Sequence, residues 1–136
     1  MMNFHSINWL SVFVAALAGF VIGSLWYGPL FSKTWMALTG MTKEKGAQAS
    51  MPLTFGGAYV LNTIGAIGLA AWMGDQQAGA ACGALYGALA ASFFIATAVG
   101  VIYLFEQQPF KLWLINGAYQ IVNFAAMGAI IGIWPR

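Results

Sequence analysis

Charge is what this chain has least of: five Lys and Arg, three Asp and Glu, and a net charge of +2 across 136 residues. That is 6% charged against 61% hydrophobic, about a quarter of the charged share of a soluble globular protein. A water-soluble fold with so few charges could not cover its own surface, so the expected solvent is lipid. Nucleic acid is excluded as a partner, because it calls for a dense row of Lys and Arg. Cys82 is the one cysteine, so no internal disulfide can form and its default role is small apolar packing.

Titratable chemistry is equally scarce. Acid–base catalysis needs paired titratable groups within reach, and a metal site needs several His, Cys, Asp or Glu ligands. Glu44, Asp75 and Glu106 all fall outside the long apolar runs, as do the lysines. Proton relays and ion-coupled pumps place charge inside the membrane despite its cost, so energised transport is not expected. Neither is an enzyme, and no soluble cofactor is indicated. His5, the only imidazole, could hold a haem or chlorin metal axially. Otherwise it is an interfacial side chain bonded to water, headgroups or a neighbouring loop.

What the chain does have is four apolar stretches of the roughly 20 residues that span a hydrocarbon core: 7–27, 53–73, 78–105 and 112–134. We expect one domain over 1–136, an all-α integral membrane four-helix bundle in which short links make the second span the antiparallel neighbour of the third, and the third of the fourth. Met1 to Trp9 lacks the basic start of a secretory signal, so the first helix should be retained. Segment 30–40 mixes Leu30, Phe31, Trp35, Met36 and Leu38 with Ser32, Lys33 and Thr34. It suits a short helix lying in the interface, or a plain loop anchored by Trp35. Lys33, Lys43, Lys45 and Lys111 share one side of a four-span layout, with Arg136 alone opposite. The positive-inside rule then places both termini outside the cytoplasm.

Three patterns could carry function. Asn116, Gln120 and Asn123 lie at helical spacing on one stripe of the fourth span, and Asn62 with Tyr59 and Thr63 forms a smaller patch on the second. These amides either bond helices together or line a small polar cavity. Gly79, Gly83 and Gly87 recur every four residues in the third span, as do Gly19 with Gly23 in the first and Gly128 with Gly132 in the fourth. Small residues permit the close backbone approach that drives association in lipid, within the chain or with another. Trp9, Trp26, Tyr27, Trp35, Trp72 and Trp134 sit near the expected span ends, where amphipathic rings anchor in the headgroup layer. A faint echo relates Gly57-Ala58-Tyr59 before Asn62 to Gly117-Ala118-Tyr119 before Asn123, open to duplication or to chance in a Gly-rich and Ala-rich chain.

The opening Ile7-Asn8-Trp9-Leu10, the small-residue run through Gly23, Leu25-Trp26-Tyr27-Gly28-Pro29-Leu30-Phe31 and the spaced Lys33 and Trp35 resemble the bacterial membrane proteins grouped as domain of unknown function 1761. The resemblance implies a compact four-helix protein of the bacterial inner membrane with no established reaction, so no residue role carries over. The leading expectation is a non-enzymatic protein acting through helix packing, as a homo-oligomer or an accessory subunit of a larger membrane complex. The alternative is a passive channel or carrier for a small neutral or weakly polar solute. A weaker one is a pigment, haem or quinone binder using His5 and the interfacial aromatics. Its surroundings would be the bilayer and other membrane helices.

Overall fold

The computed structural model describes residues 3–5, 7–42, 44–45, 50–74 and 79–134. Lys43, Asp75 and Arg136 therefore lie outside the described residues. Four helices are long and apolar enough to cross a membrane: Trp9–Leu30, Pro52–Met73, Gly79–Glu106 and Phe110–Ile133. The protein is an all-α membrane bundle. Side chains such as Leu17, Leu61, Phe93, Phe94 and Phe105 point outward, as expected where the solvent is hydrocarbon.

The first span begins as α1 (Trp9–Leu25), where Asn8 accepts from the Ser11 amide and caps the free helix start. It runs on through a widened π turn, Trp26–Leu30, three residues beyond the Tyr27 expected from sequence. Pro29 explains the widening. It has no N–H to donate, and the Phe31 amide instead reaches back five residues to the Trp26 carbonyl. The short helix α2 (Ser32–Thr39) follows at once and ends at Gly40, whose φ of +74° suits a residue without Cβ. It folds back against the fourth span, with Trp35 edge-on to Tyr27 at 5.8 Å.

The second span, α3 (Met51–Met73), starts on the Ser50 cap with Pro52 in its first turn. The third is α4 (Gly79–Ala90), a π segment (Ala91–Ala96) and α5 (Thr97–Glu106), one continuous 28-residue span. It turns back through Gln107, in the left-handed region at φ +57°, whose amide and that of Gln108 return to the Leu104 and Tyr103 carbonyls. Extended Pro109 then launches α6 (Phe110–Ile133), the fourth span.

The fourth span is the hub. Glycines decide its closest contact: a Cβ on Gly83 would strike the Gly128 carbonyl, one on Gly87 the Phe124 carbonyl, and one on Gly132 the Gly79 carbonyl. The third and fourth backbones therefore touch directly, which is how small residues replace the missing hydrophobic drive in lipid. The opposite side of α6 meets α1, and α1 in turn meets α3. The expected pairing of second and third spans is only marginal, with Trp72 against Tyr86 at 5.2 Å as one of its few contacts. The glycine face commits the third span to the fourth and leaves little of it for the second.

The apolar core sits in the half of the bundle nearest the termini, where Val12, Ala15, Ala66, Leu69, Met127 and Ile131 pack together. The half nearest α2 is more open. Gly87→Ala should destabilise the protein by about 1–3 kcal/mol, since the added methyl meets backbone that cannot swing aside. Gly57→Ala, whose new Cβ would meet nothing within 4 Å, should be neutral or slightly stabilising. Reversible unfolding in mixed micelles checks both.

A polar cleft between the first, second and fourth spans

In the open half, α1, α3 and α6 diverge around a cavity of about 700 Å³. Phe20, Phe55, Ala58, Leu61 and Phe124 give it apolar walls, and Asn62, Tyr119, Gln120 and Asn123 give it a polar floor. Its rim includes exposed Ser24, Thr54, Phe55 and Leu61, so it opens on the flank of the bundle. Toward the termini it is stopped by the packed apolar core.

The floor is built on the backbone of α1. Phe13, Ala16 and Gly19 are spaced by three residues, so their carbonyls lie along one side of the helix. Tyr59 Oη donates to the Phe13 carbonyl at 3.0 Å, Asn62 Nδ2 to that of Ala16 at 3.0 Å, and Tyr119 Oη to that of Gly19 at 3.1 Å. The second and fourth spans thus grip the first through the tyrosines and one amide of the sequence echo. Asn123 completes the set by donating Nδ2 to Asn62 Oδ1 at 2.9 Å.

Gly19 makes this possible. A Cβ there would overlap Asn123 Oδ1 and come within 2.6 Å of Asn62 Nδ2, so only glycine lets both carboxamides meet over the helix. Gly23 serves the same purpose for Tyr119, whose hydroxyl lies 2.8 Å from where a Cβ would be.

Two polar functions in the floor remain unanswered. Asn123 is 1% exposed, and its Oδ1 is the one fully buried side-chain polar atom without a hydrogen-bond partner among the described residues. Such an acceptor costs about 1–3 kcal/mol relative to a satisfied one. Gln120 receives a long 3.4 Å bond from Asn123 Nδ2, while its own Nε2 donates to nothing among the described residues.

The amide stripe is divided by the structure. Asn116 belongs to a second network, accepting from Tyr27 Oη at 2.6 Å and donating Nδ2 to Tyr103 Oη at 2.7 Å, beside a smaller cavity of about 400 Å³. Tyr27, Tyr119 and Gln120 line both cavities and separate them. Trp26, Tyr27 and Trp35, expected at the interface as anchors, are turned inward: Trp26 Nε1 donates to the Ile115 carbonyl at 3.1 Å, and Tyr27 meets Tyr119 edge-on at 5.3 Å. Trp9 and Trp72 are about half exposed at the other end of the bundle, with Trp134. His5 is exposed at that end too, a full α1 length from the Trp26 and Tyr27 rings, so imidazole and aromatic cluster do not converge. Sequence reading passed over Tyr103, Phe20 and Phe55. Tyr119 was visible only as part of the echo.

These features define a polytopic membrane protein with a one-sided cleft that is uncharged among the described residues. The match to the family described as "Protein of unknown function (DUF1761)" covers residues 10–132, and the chain belongs to that family. Comparison with curated proteins and with solved structures finds no match.

Gly19→Ala should cost about 1–3 kcal/mol by forcing the two carboxamides apart. Adding Asn123→Ala should recover part of that loss, because the side chain in the way is gone. Non-additivity in a double-mutant cycle of micellar unfolding is the check.

Proposed function

We propose that this chain is a non-enzymatic protein of the bacterial inner membrane that binds a small neutral or weakly polar molecule and exchanges it with one side of the bilayer. The observation that carries this is the cleft, whose volume falls in the usual range of ligand sites and whose polar groups converge on an otherwise apolar surface. Among the described residues its lining holds no carboxylate, amine or imidazole, which favours an uncharged guest and gives acid–base chemistry nothing there beyond tyrosine hydroxyls. The packed core beyond the floor favours a carrier or binding protein over an open pore. Lys33, Lys45 and Lys111 lie at the end of the bundle near the cleft. By the positive-inside rule that end faces the cytoplasm and both termini face outward.

A second reading, a homo-oligomer or accessory subunit of a larger complex, is favoured by the third span. Only 11% of its most apolar window is buried, and Phe93, Phe94, Leu104 and Phe105 face outward. The glycines of that span are already occupied by the fourth, so a partner would meet these larger side chains instead.

The deciding experiment is native mass spectrometry of the protein extracted from its own membranes in mild detergent, beside Leu61→Trp, which fills the cleft from its rim. A small molecule retained by the wild type and lost from Leu61→Trp is the expected result; identical small-molecule profiles would count against the cleft. The mass of the particle also reports any fixed partner. Vesicles containing the protein should admit glycerol no faster than bare vesicles, and rapid entry would indicate a pore.

A further inference from the structure

The smaller cavity, about 400 Å³ beside Asn116, has walls unlike those of the cleft. Four aromatic side chains from four elements converge on it: Tyr27 from the π turn of the first span, Trp35 from α2, Tyr103 from α5 and Tyr119 from α6. Trp35 and Tyr119 both meet Tyr27 edge-on, at 5.8 and 5.3 Å with interplanar angles of 69° and 68°. A stacked pair would hide two ring faces from a guest, whereas each edge-on contact covers at most one. Rings set at these angles act as adjoining walls and leave more of their electron-rich faces for a guest.

The hydroxyls of three of these rings are already bound within the protein. Tyr27 Oη donates to Asn116 Oδ1, Tyr103 Oη accepts from Asn116 Nδ2, and Tyr119 Oη donates to the Gly19 carbonyl. Such bonds fix the rings in advance, so a guest has little left to order. Among the described residues no carboxylate, amine or imidazole lines the cavity, and Gln120 is the one lining amide held only by a long contact. Tyr27 precedes Leu30, and Tyr103 precedes Glu106, by three residues, so both rings start about 4.5 Å inside the ends of their spans, close to the headgroups. Lys33 is exposed and stands two residues from Trp35, on another face of α2.

Such walls discriminate between guests. An anion would meet the negative faces of the rings. A metal ion needs several oxygens in place of its water, and a primary ammonium must satisfy three N–H groups; the engaged hydroxyls and Asn116 leave too few acceptors for either. A quaternary ammonium has no N–H to satisfy, spreads its charge over alkyl groups and is attracted to ring faces. We infer that the cavity lined by Tyr27, Trp35, Tyr103 and Tyr119 is an aromatic cage for a quaternary ammonium group, carried by a lipid headgroup or by a free cation at the membrane surface. The cage does not depend on the cleft being occupied, although Tyr27 and Tyr119 line both.

The test uses the full chain in nanodiscs of phosphatidylethanolamine and phosphatidylglycerol, free of choline lipids, with empty discs as the blank. Choline is titrated by saturation-transfer NMR beside ethanolamine and 3,3-dimethylbutanol, the neutral isostere of choline with carbon in place of nitrogen. Choline should bind saturably and about tenfold more tightly than the isostere, the effect of a partly desolvated cation on ring faces. Trp35→Leu should erase most of that preference while still binding the isostere, and Trp35→Phe, which restores a ring, should keep much of it. Replacing half the phosphatidylethanolamine by phosphatidylcholine separates the sources. A raised apparent Kd for free choline supports the cage with a lipid headgroup as guest, and an unchanged one supports it with a free cation.

Equal affinity for choline and 3,3-dimethylbutanol in the wild type would overturn the cage, and that comparison needs no variant to fold. Ethanolamine binding as tightly as choline would overturn it too, as would an undiminished preference in Trp35→Leu. Leu61→Trp, which fills the cleft instead, should still bind choline; loss of binding there would place the cation in the cleft and end the assignment to this cavity.

Discussion

Direct backbone contact between the third and fourth spans is the constraint on which the rest of this structure depends. Lipid offers helices no hydrophobic reason to associate, so contact must come from close packing and hydrogen bonds. Gly83 and Gly87 against Gly128 and Phe124 supply the packing in its tightest form, carbonyl against bare Cα. With the third span bound so closely to one side of the fourth, the other side of α6 is left to meet α1. The second span then has only α1 as a full partner. A gap between the second and fourth spans follows from that order of attachment.

The gap closes where apolar side chains fill it and stays open where they do not. Near the termini, Leu69, Met127 and Ile131 bring the helices together. Nearer α2, small residues on the second span and amides on the fourth cannot fill the same space, and the polar groups must find partners within the protein. Most do so on the carbonyls of Phe13, Ala16 and Gly19, which already serve the α1 helix and offer a second lone pair. Asn123 Oδ1 does not; it lies buried against Gly19, where no donor reaches it.

The two π turns serve the same arrangement. At Trp26–Leu30 the widened turn accommodates Pro29 where Trp26 and Tyr27 leave the first span to reach Ile115 and Asn116. At Ala91–Ala96 it ends where the Ala96 carbonyl accepts from Trp113 Nε1 at 2.8 Å. Such insertions are often found at functional positions in helices. Here both tie a neighbouring span to the fourth.

The amino-acid sequence by itself determined the solvent and the number of apolar spans, because both depend on the local density of apolar residues and on Pro and polar breaks. It also marked the amides and glycines as the residues in need of explanation, and the family through its opening motif. Only the tertiary structure decided how they are used. The glycine faces meet within the chain, the amide stripe is split between two networks, and Trp26, Tyr27 and Trp35 point inward, although their positions suit anchoring. Spacing along a helix shows which residues share a face. Which neighbour that face meets, and whether anything fills the space between, depends on contacts between residues as distant in the chain as Gly19 and Asn123.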